Sequence, residues 1–268
     1  MMEVNLYEFA YIPAWYEQLH ELAEAILPEP WRFKAPETEP VNFETPILER
    51  YICQVFRKTT IDYNYAEPRD ADYIFYVRNE FCCFNTGLYT RQYLPVYMCF
   101  ERNKRKDTTR KWVFKEFAVE SSKRMKYIQP LPERPKYAVQ QWMTYYDPEG
   151  MIRLNMDRLL GDQSSLSKLP IQVLEGWNRS LVVETAVELS RRKCLVDMNL
   201  AVMAVSQGQI HYLLPLYMTK EDKPDLAIAL SIMEGYYIGD SFMTLETAYS
   251  CARMLARPSA HWLADLVE

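Results

Sequence analysis

An α+β fold is predicted, with mostly antiparallel sheets made of hairpins and packed with about four helices. Three observations carry the prediction. Apolar residues recur at helical spacing in several separate segments; short β-branched or aromatic runs come in pairs split by polar turns; and hydrophobic residues are 49% of 268, enough to bury a sizeable core.

The first helix is predicted over 13–27, where Leu19, Leu22, Ala23 and Ile26 share a face and Pro28 and Pro30 end the pattern. The acidic, proline-rich stretch 28–46 reads as an ordered surface connection pinned by Trp31 and Phe33. A second helix runs from 46 to about 60, started by Pro46 and carrying Ile47, Leu48, Ile52, Val55 and Phe56 on one side. From 71 the period changes: 73–77 and 81–84 form a hairpin about the turn Arg78-Asn79-Glu80, and strands 96–100 and 112–118 follow, joined by a strongly basic loop.

Between 130 and 170 only short elements are expected, with Trp142, Tyr145 and Tyr146 as anchors. A helix over 177–193 places Leu181, Val182, Thr185, Ala186 and Leu189 on one face, with Arg191, Arg192 and Lys193 set against its C-terminal dipole. Residues 201–205 and 210–216 flank the turn Gln207-Gly208 as a hairpin, with 226–233 as its neighbour strand. The last helix starts at Thr244, which can cap toward Thr247, and stops before Pro258. No internal repeat is visible in the sequence. Helices, not a linker, join the two β regions, so one domain over 1–268 is expected, with interlocked subdomains at about 1–130 and 131–268 as the alternative.

The balance of 31 Lys+Arg against 36 Asp+Glu gives a net charge of −5, so an anionic partner has to be met by a local patch. Only 7 glycines are present and none forms a spaced phosphate-loop pattern. The six cysteines have no CxxC pair and sit among apolar neighbours, as small hydrophobes do. His20, His211 and His261 make no ligand spacing, so no metal and no cofactor is expected; His211 reads as a surface or satisfied interior histidine. Neither a basic-then-apolar N-terminal leader nor an apolar run of membrane length occurs, which predicts a cytoplasmic protein with no membrane partner.

No nucleophile elbow or activated cysteine is found, and Glu184 and Glu188, four apart on one helix, read as a solvated stripe. Two segments hold the candidate site residues. At Asn85-Thr86-Gly87 an apolar strand is expected to stop at a turn able to present amides to an anion or a sugar hydroxyl; with Arg91 and Asn103 these are the candidate ligand contacts. If strands 81–84 and 96–100 are neighbours, Asn85 and Arg91 approach Glu101 and Asn103 near the sheet edge. The loop from Arg102 to Lys111 carries six positive charges and one negative, the pattern of a phosphate-backbone contact, with Lys104, Arg105, Lys106 and Arg110 as candidates. Arg253, on the last helix, serves either an internal pair or a phosphate.

Several segments together resemble a bacterial family, the one numbered thirty-eight twenty-five among the domains of unknown function. They are Leu6-Tyr7-Glu8-Phe9-Ala10, Pro46 to Ile52, Phe84-Asn85-Thr86-Gly87-Leu88, Leu213 to Met218, Asp225 to Leu230, and Leu245 to Arg253 followed by Trp262-Leu263. The resemblance implies a domain that occurs attached to cold-shock-type or OST-HTH (LOTUS) modules, which bind RNA, and so an RNA or nucleotide role in a bacterial RNA-related or stress/defence pathway.

Three readings stay open. The first is nucleotide or RNA binding by the residues above. The second is an enzyme acting on a nucleotide or RNA end, with Glu101 as base and Lys115 or Arg253 stabilising charge. The third is a protein-interaction or scaffold domain that presents Tyr and Trp to a protein partner or a second copy of itself.

Overall fold

The computed structural model of the protein describes residues 1–34, 45–105, 109–139 and 145–268; Trp142 and most of the acidic connection fall outside them. The described residues divide into two compact units, Met1–Lys136 and Tyr137–Glu268. The fold is α+β in each. None of the described helices is long and apolar enough to cross a membrane.

The first unit runs α1 (Leu6–Phe9), β1 (Ala10–Tyr11), α2 (Trp15–Ala25), α3 (Pro46–Tyr65), α4 (Ala71–Ile74), β2 (Phe75–Val77), β3 (Phe81–Tyr89), β4 (Pro95–Arg102) and β5 (Trp112–Val119). Its sheet has the order β1-β5-β4-β3-β2; β2 to β5 form an antiparallel meander and β1 lies parallel to β5 at the edge. Pro46 opens α3, where its missing N–H costs nothing, and the helix continues past the expected 60 to Tyr65. The face that α3 turns to the sheet centres on Phe56, whose ring lies 5.0 Å from Phe9, 6.2 Å from Phe75, 5.6 Å from Phe84 and 6.5 Å from Phe100. Around Phe56 the rings meet edge-on or tilted, while Phe84 stacks on Phe75 and Phe100, each contact adding to the area term.

Two expectations need correction here. Tyr73 and Ile74 belong to a single helical turn, so the first hairpin strand begins only at Phe75. The next strand does not stop at Asn85-Thr86-Gly87: β3 continues to Tyr89 through a bulge, with the register shifting between Asn85 and Tyr89. Turn-forming residues here make an irregularity inside a strand, as a bulge with one left-handed residue requires.

The second unit runs β6 (Met151–Leu154), α5 (Met156–Gly161), α6 (Gln163–Leu166), α7 (Ile171–Leu174), α8 (Arg179–Val196), β7 (Val202–Ser206), β8 (Gln209–Leu216), β9 (Leu226–Met233), β10 (Tyr236–Met243), α9 (Leu245–Arg253) and α10 (His261–Ala264). Its sheet order is β6-β10-β9-β8-β7, again an antiparallel meander closed by a parallel edge strand. The two units therefore repeat one topology that the sequence conceals: an edge strand, a set of helices that includes the longest of the unit, then four strands of which the last returns beside the first.

Local chemistry explains the boundaries. Asn178 Oδ1 accepts from Leu181 N at 3.1 Å and starts α8; Thr244 Oγ1 accepts from Thr247 N at 3.3 Å and starts α9. Gln207 and Gly208 both have positive φ, 52° and 79°, the geometry a two-residue hairpin turn demands. The buried side of α8 differs from the expected one. Val183, Ala186, Val187, Ser190 and Cys194 face inward, while Leu181 and Thr185 are exposed. His211 on β8 is largely covered, with Nδ1 3.4 Å from Ser231 Oγ, and burial lowers its pKa.

Candidate functional site

The basic loop is held by Asn103. Its amide N donates to Lys111 O at 2.9 Å, its Nδ2 to Arg110 O at 2.8 Å, and its Oδ1 accepts from Arg105 N at 2.9 Å. Asn103, expected as a ligand contact, is thereby spent on shaping the loop. Arg105 lies over the Tyr11 ring at 4.7 Å, Arg110 Nε donates to the Tyr7 carbonyl, and Lys111 Nζ is 5.6 Å from the Trp112 ring. Lys104 Nζ is 3.9 Å from Glu80, with both side chains largely in solvent, a pairing of little strength. Lys106 lies outside the described residues.

Glu101 sits in an ion-pair network. It bonds Arg124, has Lys115 Nζ at 3.7 Å, and Arg124 Nε is 3.9 Å from Glu116. Two cations compensate its charge, so Glu101 and Lys115 are partners in a surface network. The expected approach of Asn85 and Arg91 to Glu101 and Asn103 is not found. Antiparallel register sets Glu101 opposite Phe81 and Asn85 opposite Tyr97, roughly 13 Å apart along the strand at 3.3 Å per residue. Arg91 is in the turn that joins β3 to β4, at the far end of the hairpin from Asn103. Arg253 is the last residue of α9 in the second unit, half-buried and already engaged.

The bulge residues are inward-facing. Thr86 Oγ1 donates to Val96 O at 2.7 Å and accepts from Leu88 N at 3.2 Å, while Asn85 Oδ1 accepts from Gly87 N at 2.9 Å. Gly87 has φ +73°, and a Cβ there would stand 2.8 Å from Tyr51 Oη on α3. Glycine is thus required twice, by conformation and by space. Asn85 also reaches outside the strand: Nδ2 donates to Pro132 O at 3.2 Å. One residue later Glu133 N donates to Tyr73 O at 2.6 Å. These two bonds stitch the extended segment 132–136 to the sheet and to α4.

The stitched segment walls a cavity of about 490 Å³. Thr59 and Asp62 line it from α3, Asp70, Tyr73 and Ile74 from α4 and its cap, and residues 133–136 from the far side. Much of its charge is internally matched: Asp62 bonds Lys58, and Glu133 bonds Lys136. Arg134 is exposed and has no partner among the described residues. Tyr73 is 47% exposed, leaving its ring available. The Thr59 hydroxyl is buried without a hydrogen-bond partner among the described residues. The sequence offers no cue to this set, since its members lie in three segments that run from Thr59 to Lys136 and none is unusual alone.

The second unit has a smaller groove, about 430 Å³, between β6 and α8, bordered by Glu149, Glu184, Glu188 and Arg191. Glu188 is clamped by Arg191 at 2.8 Å and Arg192 at 2.7 Å, whose hydrogen bonds hold its carboxyl down at about 2. A carboxylate so fixed is an ion-pair anchor and a poor proton carrier near neutral pH.

No curated protein and no solved structure gives a significant match to this chain. A family model does: it spans residues 22–262, which includes α3, the bulge at Asn85 to Gly87, the cavity wall and both meanders, and the chain belongs to the family described as Domain of unknown function (DUF3825).

Proposed function

We propose that the first unit binds RNA or nucleotides in the cytoplasm and meets the phosphate backbone with the loop between β4 and β5. The observation that carries this reading is local charge. In a chain of net charge −5, residues 102–111 hold six cations against one acid, on a loop braced by Asn103. Bracing lowers the ordering cost of binding, and a cation patch on a mildly acidic body limits attraction to one face.

Fluorescence anisotropy with short single-stranded RNA at low and physiological salt tests it. Affinity is expected to fall as salt rises. The triple substitution Lys104→Ala, Arg105→Ala, Lys106→Ala should weaken binding across sequences and flatten the salt slope, by about one for each phosphate that no longer meets a cation. RNA affinity unchanged by the triple substitution, or no salt-sensitive binding at all, sinks the reading.

A further inference from the structure

We propose that the first-unit cavity is a binding site for a nucleoside monophosphate, with the base against the Tyr73 ring and the phosphate on the Arg134 guanidinium. The choice of ligand class rests on the nucleotide reading above, while the geometry is separate from the basic loop. At about 490 Å³ the cavity falls within the roughly 300–1,000 Å³ usual for small-molecule sites.

The lining groups sort by what they leave unmet. Asp62 is matched by Lys58 and Glu133 by Lys136, so neither pair dominates the field inside. Among the described residues Arg134 remains unpaired, a cation with a planar fork of donors, the geometry suited to a phosphate. Tyr73 offers an aromatic face, on which any base can stack. Asp70, paired with its exposed neighbour Arg69 at 3.5 Å, offers acceptor oxygens for a ribose hydroxyl or an exocyclic amine. Ile74 and Pro135 supply apolar surface among these charged groups, and the buried Thr59 hydroxyl has no hydrogen-bond partner among the described residues.

Rigidity comes from the bulge. Asn85 holds Pro132 and the Glu133 amide holds Tyr73, so the cation and the ring stand on backbone fixed at successive residues. Asn85 is accordingly a positioning residue, which explains why a buried asparagine occupies the interior of a strand.

Isothermal titration of the full chain with AMP, GMP, CMP and UMP tests this, with ribose 5-phosphate as the ringless control and adenosine as the phosphate-free one. At least one monophosphate is expected to bind more tightly than either control. Arg134→Ala should weaken the monophosphate at least roughly fivefold and spare adenosine, whereas Tyr73→Ala should weaken both by a similar factor. Both side chains are exposed, so a circular-dichroism melt should show the variants folded. Absence of binding at millimolar monophosphate, or affinity indifferent to both substitutions, overturns the proposal. The loop triple variant separates the two readings: it should lose RNA and keep the monophosphate. Monophosphate binding with no RNA binding leaves the cavity standing and removes the loop contact.

Discussion

The two units share a strand order, but their longest helices bury different side chains. In the first, α3 packs on its sheet through rings: Phe56 meets Phe9, Phe75, Phe84 and Phe100. In the second, α8 packs on β8 with Val183, Ala186, Val187, Ser190 and Cys194 on its buried side. The same connectivity is thus satisfied by two packing solutions, because a sheet layer needs matched volume and pattern and not particular side chains.

At one equivalent point the two solutions converge. In each unit the longest helix sets a hydroxyl against the second strand of the meander. Tyr51 of α3 stands against Gly87 of β3, and Ser190 of α8 donates to the carbonyl of Pro215 in β8. Gly87 removes a side chain within the bulge, whereas Pro215 removes an N–H from a strand that stays in register with β9.

Removing the aromatic centre is the largest way to break the comparison. Phe56→Ala should cost about 3–5 kcal/mol in urea unfolding, since a buried ring is replaced by a cavity. Ala186→Gly, at the small-residue contact of the other unit, should cost only about 1 kcal/mol, chiefly through helix propensity. Equal losses would show that the ring core is no more demanding than the aliphatic one.

Next come these two contacts between helix and strand. Gly87→Ala should cost about 1–3 kcal/mol from positive φ and the contact with Tyr51, and adding Tyr51→Phe should recover the steric part but not the conformational part. Ser190→Ala should cost about 1 kcal/mol, the worth of a buried hydrogen bond. Full rescue of Gly87→Ala by Tyr51→Phe would mean the backbone there is unstrained.

The smallest effect concerns pH. Burial lowers the pKa of His211 below its ordinary 6.5, so the unfolded chain takes up the proton first as pH falls. Stability contributed by this group is present above 6.5 and is lost as pH drops from 6.5 toward the lowered folded value. His211→Gln should flatten that part of the stability profile; an unchanged profile would assign the acid sensitivity to other groups.

Legibility in the sequence follows regularity. The hairpin about Gln207-Gly208, the cap at Thr244 and strands β4, β5 and β9 rest on local rules and are readable from a few residues. Strand β10 is hidden because its apolar pattern is broken by Gly239-Asp240-Ser241, where the register shifts against β9. The face of α8 misleads because Leu181 and Thr185 look more like core than Ser190, whose hydroxyl is satisfied by carbonyls, one of them supplied only by tertiary structure. The Asn85 segment stands out in the sequence as a ligand turn, yet its Nδ2 turns inward to brace Pro132. The cavity itself, joining α3, α4 and a segment sixty positions later, has no local signature. The repeat is invisible because the units share strand order and not the residues that their longest helices bury.

The parallel edge strands set a condition on synthesis. Ala10 pairs with Trp112 and Met151 with Tyr236, so each opening strand waits for the closing strand of its own unit before it has a neighbour. During translation the first unit keeps its opening segment unpaired for some hundred residues and the second for over eighty, a strongly nonlocal closure that slows folding and prolongs exposure of a bare edge. A chain terminated ahead of Tyr236 would carry β6 with no strand to join.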